Sequence, residues 1–187
     1  MKHSDSEIIQ EILRGGEHGY AILLQRYRAR VFSLTLRIIG RREEAEEAAQ
    51  DAFVRAFRAL TSFEQRSQFS TWLYRITYNV ALDYRSRLRK SQIPFQDYDN
   101  ADIEDTRIPQ DLRVEHEELR EIVKDRIAEL KPDHAVILTL FYLHDQSYEE
   151  ISHILSLPLG TVKNRLYRAR RILRSTVLQH YAIQETF

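Results

Sequence analysis

Apolar residues recur three and four positions apart along almost the whole of this chain. Ala45, Ala48, Ala49, Ala52, Phe53, Ala56, Phe57 and Leu60 keep that rhythm without interruption, which places them on one face of a helix. The small Ala residues on that face let a second helix approach closely. No segment carries a convincing strand pattern, and no internal repeat is visible. With 5 Gly and 4 Pro among 187 residues, breakers are scarce and helices can run long. The expected fold class is all-α.

Punctuation divides the pattern into elements. Ser4-Asp5-Ser6 can cap a first helix holding Ile8, Ile9, Ile12 and Leu13, which Gly15-Gly16 ends. Tyr20, Leu23, Leu24, Tyr27, Val31, Leu34 and Ile38 mark a long second helix that stops at Gly40. A third is expected from about Arg42 to Leu60. Residues 61–71 lose the period and read as a loop, and a fourth helix runs from about Thr71 into the basic tract 85–90. Periodicity then vanishes from Ser91 to about Gln110. It resumes from about Leu112 to Leu130, and Pro132-Asp133 opens another helix, with Val136, Ile137, Leu140 and Phe141 on its buried side. The chain thus reads as two helical domains, residues 1–90 and 112–187, joined by residues 91–111. Pro94, Pro109 and the acids Asp97, Asp99, Asp102, Glu104 and Asp105 make that connector a flexible, self-repelling linker.

The formal net charge of +0 conceals a segregated pattern. Residues 1–90 carry a net +5, residues 91–128 a net −6 and residues 129–187 a net +1, with the last cations gathered in the final helices. Basic, acidic, basic points to two nucleic-acid-facing modules joined by a repelling connector. Several function classes drop out. With 0 Cys there is neither a disulfide framework nor a thiolate metal site. The 7 His show no close metal-ligand pairing, and there is no Gly-rich phosphate loop. No nucleophile has a base and an orienter near it in sequence. Glu43, Glu44, Glu46, Glu47 and Asp51 read as solvated charge near a helix N-terminus rather than a catalytic carboxylate site. Neither catalysis nor a cofactor is expected. No apolar run approaches membrane-spanning length and the start lacks a signal core, so a cytoplasmic location is expected.

Residues 147–174, SYEEISHILSLPLGTVKNRLYRARRILR, carry the most functional information. Ser147 and Glu150 have capping-box spacing, and Ile151, Ile154 and Leu155 follow at helical intervals. Leu157-Pro158-Leu159-Gly160 breaks the helix, because Pro lacks an amide donor and Gly tolerates unusual backbone angles. A second helix is expected from near Thr161. Val162, Leu166, Ala169 and Leu173 form its apolar stripe. Lys163, Asn164, Tyr167, Arg168 and Arg171 fall on roughly the opposite face, and they are types that bond phosphates and base edges. A solvated basic face is the bland alternative. The capped preceding helix, the break and the absence of acids from Pro158 to Ser175 favour a recognition helix for the DNA major groove.

Two further patterns stand out. On the fourth helix, Trp72, Arg75 and Asn79 lie at i, i+3 and i+7 beside the apolar side of Leu73, Ile76, Val80, Tyr84 and Leu88. An aromatic platform, a cation and an amide suit an unpaired base, and Phe63, Arg66, Ser67, Phe69 and Thr71 lie just upstream. A core role for Trp72 is equally open from the spacing. On the third helix, Val54 sits among Gln50, Asp51, Arg55 and Arg58, away from the Ala/Phe stripe. It is either a docking point or an isolated exposed Val.

Taken in order, EEAEEAAQDAFVRAFRAL, FEQRSQFSTWLYRITYNVALDYRSRLRK and SYEEISHILSLPLGTVKNRLYRARRIL resemble three segments of the extracytoplasmic-function (ECF) sigma factors, the compact branch of the sigma-70 family of bacterial RNA polymerase. The resemblance spans nearly the whole chain. It implies a sigma2-like domain over 1–90 and a sigma4-like domain over 112–187. It further implies that the third helix docks on the clamp coiled coil of the polymerase largest subunit through Gln50, Asp51, Val54, Arg55 and Arg58, and that the polymerase flap is a second contact. Phe63, Arg66, Ser67, Phe69, Thr71, Trp72, Arg75 and Asn79 would melt and read the minus-ten element, with Asn79 at a flipped base. Thr161, Lys163, Asn164, Arg165, Tyr167, Arg168 and Arg171 would read the minus-thirty-five element. An anti-sigma factor is implied as a partner on the same ground. Asn164 stands where a small residue is frequent in the family, and Tyr167 is bulky, so the resemblance leaves the preferred promoter sequence open.

The alternative is a helix-turn-helix regulator acting without polymerase, with residues 1–90 as a sensing or dimerisation domain. It leaves the aromatic and basic segment 63–90 without a role. A protein-binding adaptor leaves the acid-free helix without one. The pattern is compatible both with domains mobile about residues 91–111 and with domains packed together.

Overall fold

A computed structural model describes residues 3–90 and 117–184, and among them every regular element is helical. The expected linker 91–111 and the lead-in residues 112–116 lie outside the described residues. The first group of helices is α1 (Asp5–Leu13), α2 (His18–Ile39), α3 (Arg42–Arg58) and α4 (Phe69–Lys90), with one 3₁₀ turn at Leu60–Ser62. The second is α5 (Glu117–Ala128), α6 (Pro132–Leu138), α7 (Tyr148–Leu155) and α8 (Leu159–Gln184), with one turn of π-helix at Thr139–Leu143 after α6.

The caps follow the residues. Ser4 begins α1, its Oγ accepting from the Glu7 amide while Glu7 Oε2 accepts from the Ser4 amide at 2.7 Å. Ile8, Ile9 and Ile12 turn into the core. The following helix crosses α1 so closely that a Cβ on Gly19 would lie 2.6 Å from Ile12 Cγ1. Gly40 ends α2 in the left-handed region at φ 78, its amide donating to Leu36 O. Buried Thr35 on α2 donates its hydroxyl between the carbonyls of Phe32 and Ala45, 2.9 Å from each, which ties α2 to the start of α3. The Ala stripe of α3 is buried from Ala45 to Ala56 between α2 and α4.

Two helix starts differ from the sequence reading, and α3 and α5 each end two residues earlier than expected, at Arg58 and Ala128. The helix α4 begins at Phe69, two residues before Thr71, because Phe69 is pulled into the core beside Tyr27 and Phe63. The helix α8 begins at Leu159, and Gly160 lies in its first turn with nothing near its missing Cβ. The left-handed residue of the helix-turn-helix is Ser156, φ 54. The turn is closed by the Leu157 amide on Ser152 O at 3.1 Å and by the Ser152 hydroxyl on Leu157 O at 2.6 Å.

The two groups pack on each other, α4 against α7 and α2 against α6. At one end of the seam Arg37 Nη2 on α2 donates to the Lys124 carbonyl on α5 at 3.3 Å.

Candidate nucleic-acid and docking surfaces

The helix-turn-helix is built by its caps. Glu150 N donates to Ser147 Oγ at 3.2 Å, and Ser147 N donates to Glu150 Oε2 at 2.8 Å, so the expected capping box forms. Val162, Leu166, Ala169 and Leu173 are all buried and fix the roll of α8. That roll leaves Lys163, Asn164, Arg165 and Arg171 exposed and Thr161, Tyr167 and Arg168 half-buried. All seven residues named from the sequence thus retain surface. Arg170 turns the other way. Its guanidinium lies 4.6 Å from the Phe141 ring centroid and 5.7 Å from that of Tyr142, a cation–π anchor between α8 and the π-turn.

The loop before α4 has a tip and a base. Phe63 and Phe69 are buried, their centroids 5.8 Å apart, and each packs on Trp72 at 5.1 and 5.8 Å. These two rings are core, and they present little surface to a ligand. Arg66 and Ser67 occupy the exposed tip. Neighbouring Gln65 is held in the left-handed region, φ 55, and accepts a 2.8 Å hydrogen bond from Ser6. Trp72 is half-buried, so it packs on the core and still retains surface. Arg75 and Asn79 are exposed further along α4. Thr71 is 3% exposed. Its hydroxyl lies 3.2 Å from Gln146 Oε1 and 3.1 Å from Glu150 Oε1, both on the second group of helices.

Sequence reasoning missed the residues opposite Thr71. His144 is 2% exposed, with its ring 4.9 Å from that of fully buried Tyr74. Burial, reinforced by the Arg30 charge, pushes the His144 imidazole down to about 3. Nothing around positions 144 and 146 announces this in the sequence, because the residues they meet, Tyr74 and Thr71, stand 70 and 75 positions earlier.

On α3, Val54 is 44% exposed, with Gln50, Arg55 and Arg58 exposed and Asp51 half-buried beside it. Arg55 bridges Asp51 at 3.2 Å and Asp83 of α4 at 3.6 Å. Adjacent to this face, Leu24, Phe32, Ala49, Gln50 and Phe53 line a groove of about 740 Å³ between α2 and α3. Among the described residues no cluster of His, Asp and Glu is placed to hold a metal ion, and no helix is long and apolar enough to cross a membrane.

Two family models match, Sigma-70 region 2 over residues 23–91 and Sigma-70 region 4 over residues 120–173. The ECF RNA polymerase sigma factor SigW of Bacillus subtilis (strain 168) is 32% identical over 179 residues, covering 89% of this chain and 92% of the relative. This chain belongs to the ECF sigma factors. The ECF RNA polymerase sigma-E factor of Escherichia coli (strain K12) is 34% identical over 182 residues, covering 93% of the sigma factor described here and 94% of its own length. Each region model falls on one of the two helix groups. The fold is shared with CnrH, solved in complex with the cytosolic domain of CnrY, at TM-score 0.62 and 21% identity over 91% of this chain and 95% of that one. It is shared too with the sigma factor RpoE of Bartonella quintana, solved with the anti-sigma factor NepR, at TM-score 0.59 and 25% identity over 84% and 96%.

Proposed function

We propose that this sigma factor reads a promoter at two points while seated on core RNA polymerase. Residues 112–187, the sigma4-like domain, hold minus-thirty-five duplex DNA through Thr161, Lys163, Asn164, Arg165, Tyr167, Arg168 and Arg171. Residues 1–90, the sigma2-like domain, capture an unstacked base of the minus-ten element. Arg66 and Ser67 border the pocket, with Thr71 at its covered base, Trp72 supplies a stacking surface, and Arg75 and Asn79 supply a phosphate partner and an amide. Phe63 and Phe69 support the loop from below. Residues 91–111 form the acidic connector. Gln50, Asp51, Val54, Arg55 and Arg58 dock on the clamp coiled coil, and the flap is the contact of the second domain.

The observation that carries this reading is the exposed cationic and amide face of α8, held outward by a buried stripe beside a capped α7. Capturing a flipped base costs on the order of a few kcal/mol, and stacking recovers roughly 1–3 kcal/mol per base. Binding energy can therefore drive melting. The chain performs no chemistry in this scheme and needs no cofactor. Its expected place is the cytoplasm, with an anti-sigma protein as a regulatory partner, in line with the NepR complex of the Bartonella quintana relative. The decisive experiment adds the purified chain to core polymerase with a genomic fragment library and maps transcript starts. A defined set of starts sharing two upstream motifs is the expected result. Transcription no different from core polymerase alone would overturn the proposal, and operator binding by the chain without polymerase would favour the regulator.

A further inference from the structure

The first helix has no part in the promoter contacts proposed above, and it lies before residue 23, where the region 2 match begins. It is nonetheless tied firmly to its group. Its capping box closes the first turn, and Ile8, Ile9 and Ile12 are buried against a helix whose Gly19 leaves no room for a Cβ. Asp5 accepts hydrogen bonds from the Tyr27 hydroxyl and from Arg26 Nη1 of α2, and Arg26 Nη2 donates to His3 O at 2.9 Å.

Two side chains of that first turn reach the loop before α4. Ser6 Oγ donates to Gln65 Oε1 at 2.8 Å, across 59 positions of sequence. Asp5 holds the Tyr27 hydroxyl, and the Tyr27 ring stands 5.5 Å from Phe69, where the loop enters α4. The tip and the base of the loop are thus fastened to one turn of helix. The backbone at Gln65 points the same way. At φ 55 it lies in the left-handed region, which Gly or Asn enters at less cost. A Gln in this place accepts that cost and supplies a side chain long enough to reach Ser6. Arg66 and Ser67 follow directly and are exposed. Arg66 Nε lies 2.7 Å from Glu64 Oε2, and the Ser67 hydroxyl lies 3.4 Å from Gln68 O. Both side chains bond within the loop, so their place relative to the helices is set by the backbone on either side of them.

We propose that the first turn of α1 is a brace that sets which minus-ten base the loop accepts, with Ser6 and Gln65 as its positioning residues. Arg66 and Ser67 border the captured base, and Ser6 and Gln65 act through them by fixing where they stand. A contact group displaced by about 1 Å loses most of its effect. A loop without its tether samples several positions and accepts more than one base. The loss therefore falls on discrimination among bases rather than on assembly with polymerase. This rests on the assignment of residues 63–79 as the minus-ten reader, but the brace itself involves neither DNA nor polymerase.

The test uses the full chain, first alone and then with core polymerase. In the free chain, Ser6→Ala should lower the NMR order parameters of the Arg66 and Ser67 amides. Ser6→Thr, which keeps the hydroxyl, should leave them unchanged. With core polymerase, a promoter found by mapping transcript starts is given a randomised minus-ten element, and the transcribed pool is sequenced. Ser6→Ala should flatten the base preference at one position by about threefold, which one exposed hydrogen bond can carry. Gln65→Ala should do the same from the loop side, and the double variant should be no worse than either single one. Ser6→Thr should keep the preference, an outcome that a general loss of folding does not produce. Unchanged order parameters in Ser6→Ala would overturn the brace, and so would an unchanged base preference. Arg66→Ala separates the causes. If it alters the preference and Ser6→Ala does not, the loop still reads and the brace alone falls. If neither alters it, the minus-ten assignment falls with the brace.

Discussion

At the scale of single residues, Asn79 and Thr71 show how one helix serves two ends. Asn79 is exposed on α4 with its amide free to meet a base edge, while Thr71, two turns earlier, is covered. Asn79→Ala should reduce open-complex formation and leave upstream contacts intact. Permanganate footprinting of the melted bubble checks this, and an undiminished bubble would remove Asn79 from the capture role. The aromatic neighbours were only partly legible. Spacing could not say whether Trp72 was core or platform, and the half-buried ring packed on Phe63 and Phe69 explains why both readings had grounds. Phe63 and Phe69 were named as contacts because they flank the loop. Phe69 is buried against Tyr27, whose ring stands 5.5 Å away and 42 positions earlier in the chain, and Phe63 is buried against Phe69 in turn.

At the scale of elements, the helix-turn-helix owes its shape to local chemistry. Ser147 caps α7, so Ser147→Ala should cost about 1 kcal/mol, read as a lower urea midpoint with an unchanged slope. An unchanged midpoint would mean that the Glu150 carboxylate holds the helix start alone. On α8 the buried stripe fixes which cations face outward. Arg168→Ala should weaken upstream-duplex binding and lower the slope of log affinity against log salt by about 1. Arg170→Ala would act through packing, since that cation lies over Phe141. Titrations at several salt concentrations separate the two. Docking belongs to this scale as well. Val54 stands out from α3 between paired charges, with the α2–α3 groove beside it. Val54→Asp should abolish co-purification with core polymerase without shifting the melting temperature by more than a degree or so, since it changes an exposed position. Normal holoenzyme assembly would dismiss the docking face.

At the scale of the whole molecule, the contact between the two helix groups should depend on pH through buried His144. The closed form holds His144 neutral, its imidazole pushed down to about 3 by burial between α4 and the π-turn, with Arg30 acting in the same sense and Tyr74 and Asp145 alongside. In an open form the same group returns to roughly 6.5. Below that value the open form binds more protons, so closure is at full strength above about pH 6.5 and weakens as the pH falls toward 3. The slope is at most about 1.4 kcal/mol per pH unit. Scattering from the free chain between pH 7.5 and 5 should therefore show growing dimensions before α-helical circular dichroism is lost. Dimensions constant over that range would mean His144 does not couple to closure.

The sequence by itself determined the helices, their caps, the separation into two heads and the cationic outward face of α8. Each of these is set by residues within a few positions of one another, through periodicity, side-chain capping and charge. The left-handed residue of the recognition turn already escaped it, since Gly160 was the natural candidate and Ser156 adopts that conformation with its turn closed by Ser152. Only the tertiary structure decided that the heads meet, that Thr71 is covered and that His144 is buried. Those outcomes depend on surfaces far apart in the chain that fit only when both helical groups have formed.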